Sequence, residues 1–170
     1  MFTIGSKIGL RIKQVSDKGL QFIKREEGCI LRPYNNSSGF ATIGIGHLIG
    51  KRKVNNLDIT EYKSFNERDA LDLLRKDLKI VEDCMEESIK VDLLFNQYDA
   101  IASLIFNIGS QNFKESTLLK DLNNQKYSSV YEDYMLYCKS NNKEVYALKC
   151  RRGRERELFL RGTYIQTYCN

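Results

Sequence analysis

The chain has 170 residues, 42% of them hydrophobic and 29% charged, enough to close one core but short for two, so one domain spanning 1–170 is expected. That composition excludes intrinsic disorder, and no apolar run approaches the roughly 18 to 20 residues a membrane-spanning helix needs. Lys and Arg number 27 against 22 for Asp and Glu, and the net charge of +5 points to an anionic partner, for which nucleic acid and the cell-wall polymer peptidoglycan are both candidates.

In chain order, the first fifteen residues break their apolar positions with Lys7, Arg11 and Lys13. They lack the continuous stretch of a secretory signal, so synthesis in the cytosol is expected. Ser16 and Asp17 can cap a helix with apolar positions Leu20, Phe22 and Ile23, which stops at Gly28 and carries Glu26 and Glu27 at its end. The stretch from Gly28 to Gly50 is rich in Gly and Ser and holds the single proline, Pro33. Within it, Thr42 to His47 alternates as a short strand behind a hairpin turn at Asn36-Ser37-Ser38-Gly39, the one β element the sequence predicts.

Asn66 then caps a long amphipathic helix with apolar residues at Ala70, Leu74, Leu78, Val81 and Met85. A helix over about Asn96 to Ile108 is apolar around most of its circumference and is predicted to be central and buried. Shorter helices follow at about Ser116 to Asn123, Ser128 to Cys138 and Leu148 to Leu160. The last is dense in charge, with Lys149, Arg151, Arg152, Arg154, Arg156 and Arg161 against Glu155 and Glu157. It reads first as a solvated face with intrahelical ion pairs and second as a surface for an anionic wall or membrane. Nucleic acid ranks third, because no aromatic residues interleave the arginines.

Five dispersed cysteines, Cys29, Cys84, Cys138, Cys150 and Cys169, form no CxxC pair, and His47 is the only histidine, so neither a metal site nor a cofactor is expected. Their odd number predicts reduced, mostly buried thiols, with a single bridge left open. Glu26 and Glu27 both border the apolar face of their helix under the β region. There a glutamate can be partly desolvated and hold a proton as a general acid, and periodicity does not choose between them.

Glu27-Gly28-x-x-Leu31-x-x-Tyr34 followed by Gly39-x-x-Thr42-Ile43-Gly44-x-Gly46-His47 resembles the active-site segment of the phage-type lysozymes, the endolysins of glycoside hydrolase family 24. Gln97-Tyr98-Asp99-Ala100, Phe106-Asn107-Ile108-Gly109, Ser116-Thr117-Leu118-Leu119 and Arg151-Arg152-x-x-Glu155 are similar to that family's later motifs, in the same order. The resemblance implies an α+β, mainly helical, two-lobed fold. A small β-containing lobe over about 15–65 would be joined by a long helix to a helical lobe, the two together covering about 66–170, with a glycan cleft between the lobes.

It further implies hydrolysis of the β-1,4 bond between N-acetylmuramic acid and N-acetylglucosamine, with Glu27 and Thr42 in catalytic positions and Tyr34, Gly39 and Asn107 binding substrate. The implied partner is the peptidoglycan glycan strand, with neither nucleic acid nor stable membrane insertion, for a monomer made in a host cytoplasm and released to the cell wall through a holin. His47 is expected to close the β lobe against an acid or a backbone group.

One position departs from the family pattern. Nine residues after Glu27, where the family has an aspartate, stands Asn36. An amide does not take a proton at neutral pH, so Asn36 cannot serve as a general base, although it can still position a water. The departure fits an inactivated variant, an impaired homologue, or a catalyst that recruits another group. Neighbouring Asn35, Ser37 and Ser38 supply no carboxylate, and Asp58 is the nearest acid downstream. Two functions follow: a muramidase, or a lysozyme-like domain that grips glycan or protein with little turnover.

Overall fold

The computed structural model describes residues 11–140 and 142–164. The expectation for the amino-terminal segment and the thiol of Cys169 therefore lie largely or wholly outside the described residues. Helix α1, Asp17–Glu27, is capped by the Ser16 side chain, which accepts from the Gly19 N–H. It buries Leu20, Phe22 and Ile23, as their spacing predicts.

The β region holds more than the sequence suggested. Strands β1 (Ile30–Asn35), β2 (Ala41–Gly44) and β3 (His47–Gly50) form an antiparallel sheet in the order β1-β2-β3. Strand β1 escapes pattern reading because its side chains are mostly exposed and Pro33 interrupts it. As an edge strand it can carry a proline without losing a bond to the interior of the sheet. The β2 residues are all buried, and at Gly44 the backbone has φ +64° with Ala70 pressed against it, so any side chain there would be strained and crowded.

A short helix α2, Asn56–Glu61, also absent from the sequence expectations, follows β3. Its reciprocal cap is made by Asn55 and Asp58, and the Asp58 carboxylate takes both Nη1 and Nη2 of Arg52 at 2.6 Å.

Helix α3, Glu67–Ser88, starts at Asn66, whose side chain accepts from the backbone of Arg68 and Asp69 while the Asp69 carboxylate accepts from the Asn66 N–H. Its buried stripe is the predicted one, with Glu82 and Cys84 added. It packs on β2 and β3 and also on helix α4 (Phe95–Ile108) and helix α5 (Ser110–Lys114), so one rod joins the sheet to the helical part. His47 Nδ1 lies 2.9 Å from Asp77 of α3 and fastens β3 to the rod, the structural role expected of it.

Helix α4 is the centre. Residues Tyr98 through Ile105 are all buried, and α4 touches α1, α3, α5 and helix α8 (Tyr146–Arg161). Between them lie α6 (Thr117–Asn123) and α7 (Tyr127–Asp133). The last continues as a 3-10 turn over Tyr134–Tyr137, where a single helix to Cys138 was expected. A second hairpin, β4 (Lys139–Ser140) with β5 (Lys143–Glu144), is two residues long on each side and too short to leave a periodic signal.

Cys29, Cys84 and Cys138 are free thiols, as expected. Cys150 is disulfide-bonded, and so takes part in the single bridge that the sequence left open.

Two measurements test this architecture. Ile101→Ala or Ile105→Ala should cost about 2–5 kcal/mol in denaturant titration, as for large-to-small changes in a packed core. Less than about 1 kcal/mol would place α4 at the surface. The Arg52 bonds, aided by the backbone bond at Asn55, hold the Asp58 carboxyl at about 2, below its ordinary 3.8. Because the folded-state value is the lower one, this stabilisation is complete above about pH 4 and disappears as pH falls through about 2. Arg52→Ala should flatten that part of the acid-stability curve, followed by circular dichroism.

Candidate active site

Two consecutive glutamates at the end of α1 meet different surroundings. The Glu26 side chain is 1% exposed and forms a fork with Arg154, Nε to Oε1 at 2.7 Å and Nη2 to Oε2 at 2.8 Å. Glu27, one residue and about 100° further round the helix, keeps 22% of its side chain open and meets Arg151 Nη1 at 2.7 Å. Burial and pairing thus separate two residues that periodicity left equivalent. Glu26 is committed to the interior, and Glu27 is the carboxylate that a ligand can reach.

Arg151 is itself buried and braced from behind. Its Nε donates to Glu155 Oε1 at 2.9 Å, and the Ser103 hydroxyl of α4 donates to the same oxygen at 2.7 Å. Burial works against the guanidinium charge, but Glu155 and Glu27 beside it outweigh that and raise its pKa. Arg152, fully buried on the next side of α8, pairs with Glu155 Oε2 at 3.1 Å and donates to Asn107 Oδ1 at 2.8 Å.

The solvated basic face expected for this helix is therefore corrected. Arg151, Arg152 and Glu155 are interior groups, and Arg154 reaches across to α1. The sequence did carry the signal, since Arg151 and Arg152 stand four and three residues before Glu155, the spacings at which side chains on a helix meet. What composition could not show is that this face turns inward.

The hairpin between β1 and β2 supplies the opposite group of residues. The Gly39 N–H donates to the Asn36 carbonyl at 2.8 Å, with Gly39 at φ +79°, and Asn36 N–H donates to the Phe40 carbonyl at 3.0 Å. The Asn36 side chain sits inside this turn. Its Oδ1 accepts from the Ser38 N–H at 2.9 Å and the Phe40 N–H at 3.0 Å. The single acceptor of the amide is thus occupied by the backbone, and what remains is an NH₂, which only donates.

Thr42, 2% exposed, pairs in register with Tyr34, and its hydroxyl donates to the Phe40 carbonyl at 2.9 Å. With that hydrogen committed, Thr42 offers other groups only lone pairs. Partial burial, and then the charge of Glu27, raise the Tyr34 phenol pKa.

Of the six residues singled out from the sequence, Tyr34, Asn36, Gly39 and Thr42 lie on one hairpin, and Glu27 ends the helix that leads into it. Asn107 stands apart, on the exposed end of α4, and is joined to Glu27 through Arg152, Glu155 and Arg151. It borders a hollow with Asn112, Tyr137 and Leu148. Arg151 and Glu155, which the sequence offered as a motif without a role, brace the site together with Ser103, which it did not mark at all. Asp58, the nearest acid downstream, is engaged by Arg52 and by the start of α2.

Residues 24–155 match the phage lysozyme family. The endolysin of Salmonella phage P22 is 40% identical over 147 residues, which are 86% of this chain and 98% of that protein. Among solved structures, a mutant of P22 lysozyme superposes with a TM-score of 0.76 at 38% identity, covering 86% of this chain and 98% of its own. The muramidase domain of SpmX from Asticaccaulis excentricus superposes with a TM-score of 0.75 at 27% identity, covering 86% and 97%.

The ion pairs make a stability prediction that distinguishes the two glutamates. Arg154→Ala leaves Glu26 buried without its counter-ion and should cost about 3–5 kcal/mol, read from urea melts. Glu27→Gln, at the more open position, should cost far less. A smaller loss for Arg154→Ala than for Glu27→Gln would reverse the assignment of interior and open carboxylate.

Proposed function

Because the chain belongs to the phage lysozyme family, we propose that it cleaves the β-1,4 bond between N-acetylmuramic acid and N-acetylglucosamine in peptidoglycan. Cell-wall lysis would follow its release from the cytoplasm through a holin. The observation that carries this reading is the difference between Glu26 and Glu27. Only Glu27 combines an open side chain with a buried cation at hydrogen-bond distance. Glu27 gives its proton to the leaving glycosidic oxygen, and Arg151 then holds the carboxylate that remains. Arg151 can do this repeatedly because Glu155 and Ser103 fix it from behind.

Tyr34 and Gly39 form the wall of the cleft on the hairpin side, and Asn107 contributes from the end of α4. Thr42, with its hydrogen on the Phe40 carbonyl, accepts a hydrogen bond from a water near the anomeric carbon. The role missing from this set is the base. Proton transfer to a positioned side chain contributes typically ~10²–10⁴-fold, and Asn36, with its acceptor in the turn, does not provide it. The same observation supports the second reading, a glycan-gripping domain of low turnover, since affinity arises from contacts on both walls whereas rate arises from groups acting in the transition state.

Asn36→Asp separates the two readings with little disturbance of the fold, because a carboxylate oxygen can accept the same two N–H groups. Hydrolysis, measured as new reducing ends on purified peptidoglycan, should rise at least about tenfold with a smaller change in glycan affinity. An unchanged rate would mean that the missing carboxylate is not the limiting defect. Glu27→Gln should abolish all cleavage, whereas Glu26→Gln, assayed where it is folded, should retain it. Equal loss in both would show that the wrong glutamate has been assigned.

A further inference from the structure

We propose that the chain breaks the glycan chiefly without water, by passing the muramic acid residue to its own C6 hydroxyl and leaving a 1,6-anhydro end. This rests on the glycosidase reading above and specifies which nucleophile that site uses.

An attacking water must lose a proton as it bonds to the anomeric carbon, and on the face opposite the leaving group this requires a second carboxylate. The hairpin offers none. Asn36 Oδ1 is taken by the Ser38 and Phe40 N–H groups. Asn35 Oδ1 receives the Val54 N–H at 2.8 Å, and Thr42 is a neutral hydroxyl already donating to Phe40. Asp58 is clamped by Arg52, Asp77 faces His47, and Glu26 is forked to Arg154. Glu67 is paired with Lys24, and of the acids named here Glu27 is the one left to carry protons at the hairpin.

One carboxylate suffices if donor and acceptor lie on the same face of the sugar. In a β-linked muramic acid, the leaving oxygen and the C6 hydroxymethyl group both project from the β face. Glu27 first gives its proton to O4 of the departing glucosamine as the C1–O4 bond breaks. As the C6 oxygen bonds to C1, its proton passes to the same Glu27 carboxylate, which Arg151 has held in place at 2.7 Å. One C–O bond breaks, one forms, the proton returns to its donor and no water is consumed. The C6 hydroxyl also has the advantage of its tether, since well-oriented intramolecular groups reach effective concentrations of ~10⁵–10⁸ M. Water on the opposite face has no base to assist it, and water on the β face has no tether.

The test is digestion of purified peptidoglycan in heavy-oxygen water by the unmodified chain and by Asn36→Asp, with the fragments resolved by mass spectrometry before and after borohydride treatment. The unmodified chain should release fragments one water lighter than hydrolysis products, inert to borohydride and free of heavy oxygen, in at least about tenfold excess over hydrolysed ones. Asn36→Asp should shift the products to reducible, heavy-oxygen-bearing ends, and Glu27→Gln should release neither kind. Reducible, labelled fragments from the unmodified chain would overturn the transfer proposal and leave the glycosidase reading standing. Silence from the unmodified chain with hydrolysis by Asn36→Asp would do the same. Silence from both would remove the glycosidase reading itself.

Discussion

Arg151 carries a positive charge into the interior of a helical protein, and three elements are arranged to accommodate it. Desolvating a guanidinium costs several kcal/mol, which attraction offsets only if the counter-charges are close and the remaining hydrogen-bonding capacity is met. Here Glu155 comes from the same helix, Glu27 from the end of α1 and Ser103 from the middle of α4. Moving any of these helices by an ångström would unpair a buried charge, so the contact specifies how α1, α4 and α8 meet. The same interaction fixes the one open carboxylate of the site. Because Glu155 also holds Arg152, and Arg152 holds Asn107, the ion cluster extends to the far end of α4.

Helix α3 solves a different problem. A three-stranded sheet is too small to bury both faces by itself and needs a partner surface. The amino-terminal part of α3 supplies one, with Ala70 against Gly44 and Asp77 against His47, while α4 and α5 also pack on the same rod. The hairpin bearing Asn36 and Thr42 is thereby referred to the same core as Glu27, although no strand touches α4 strongly. Precision across the site comes from two routes, ionic through Arg151 and apolar through α3.

How much of this could be read in the sequence depended on the kind of signal. The stripes of α1, α3 and α4 were legible because burial on one face leaves a repeat, and the caps at Ser16 and Asn66 because capping needs particular side chains. The Gly- and Ser-rich segment showed the turn at Asn36 to Gly39 and the strand that follows it, because turns need particular residues. Strand β1 was hidden because an edge position tolerates Pro33, and β4 and β5 because two residues hold no period. The charge-rich α8 misled for a physical reason. Charge predicts exposure only when each charge is solvated separately, and here acids three and four residues away and on another helix take the place of water. Nor could composition distinguish Glu26 from Glu27, because the difference lies in which arginine of a distant helix each one meets.

The Asn36 turn has a consequence for how such a chain changes over generations. Its side chain contributes to folding through one oxygen that two backbone N–H groups share, and aspartate offers that oxygen equally well. Selection for stability is therefore nearly blind at this position, where the two residues differ by one atom and by everything that matters to chemistry. A lineage can cross between them in a single substitution, in either direction, with no compensating change elsewhere in the core. The reactive character of the cleft is thus uncoupled from the robustness of the scaffold, and the hairpin is a place where activity can be lost, retuned or regained while the protein goes on folding as before.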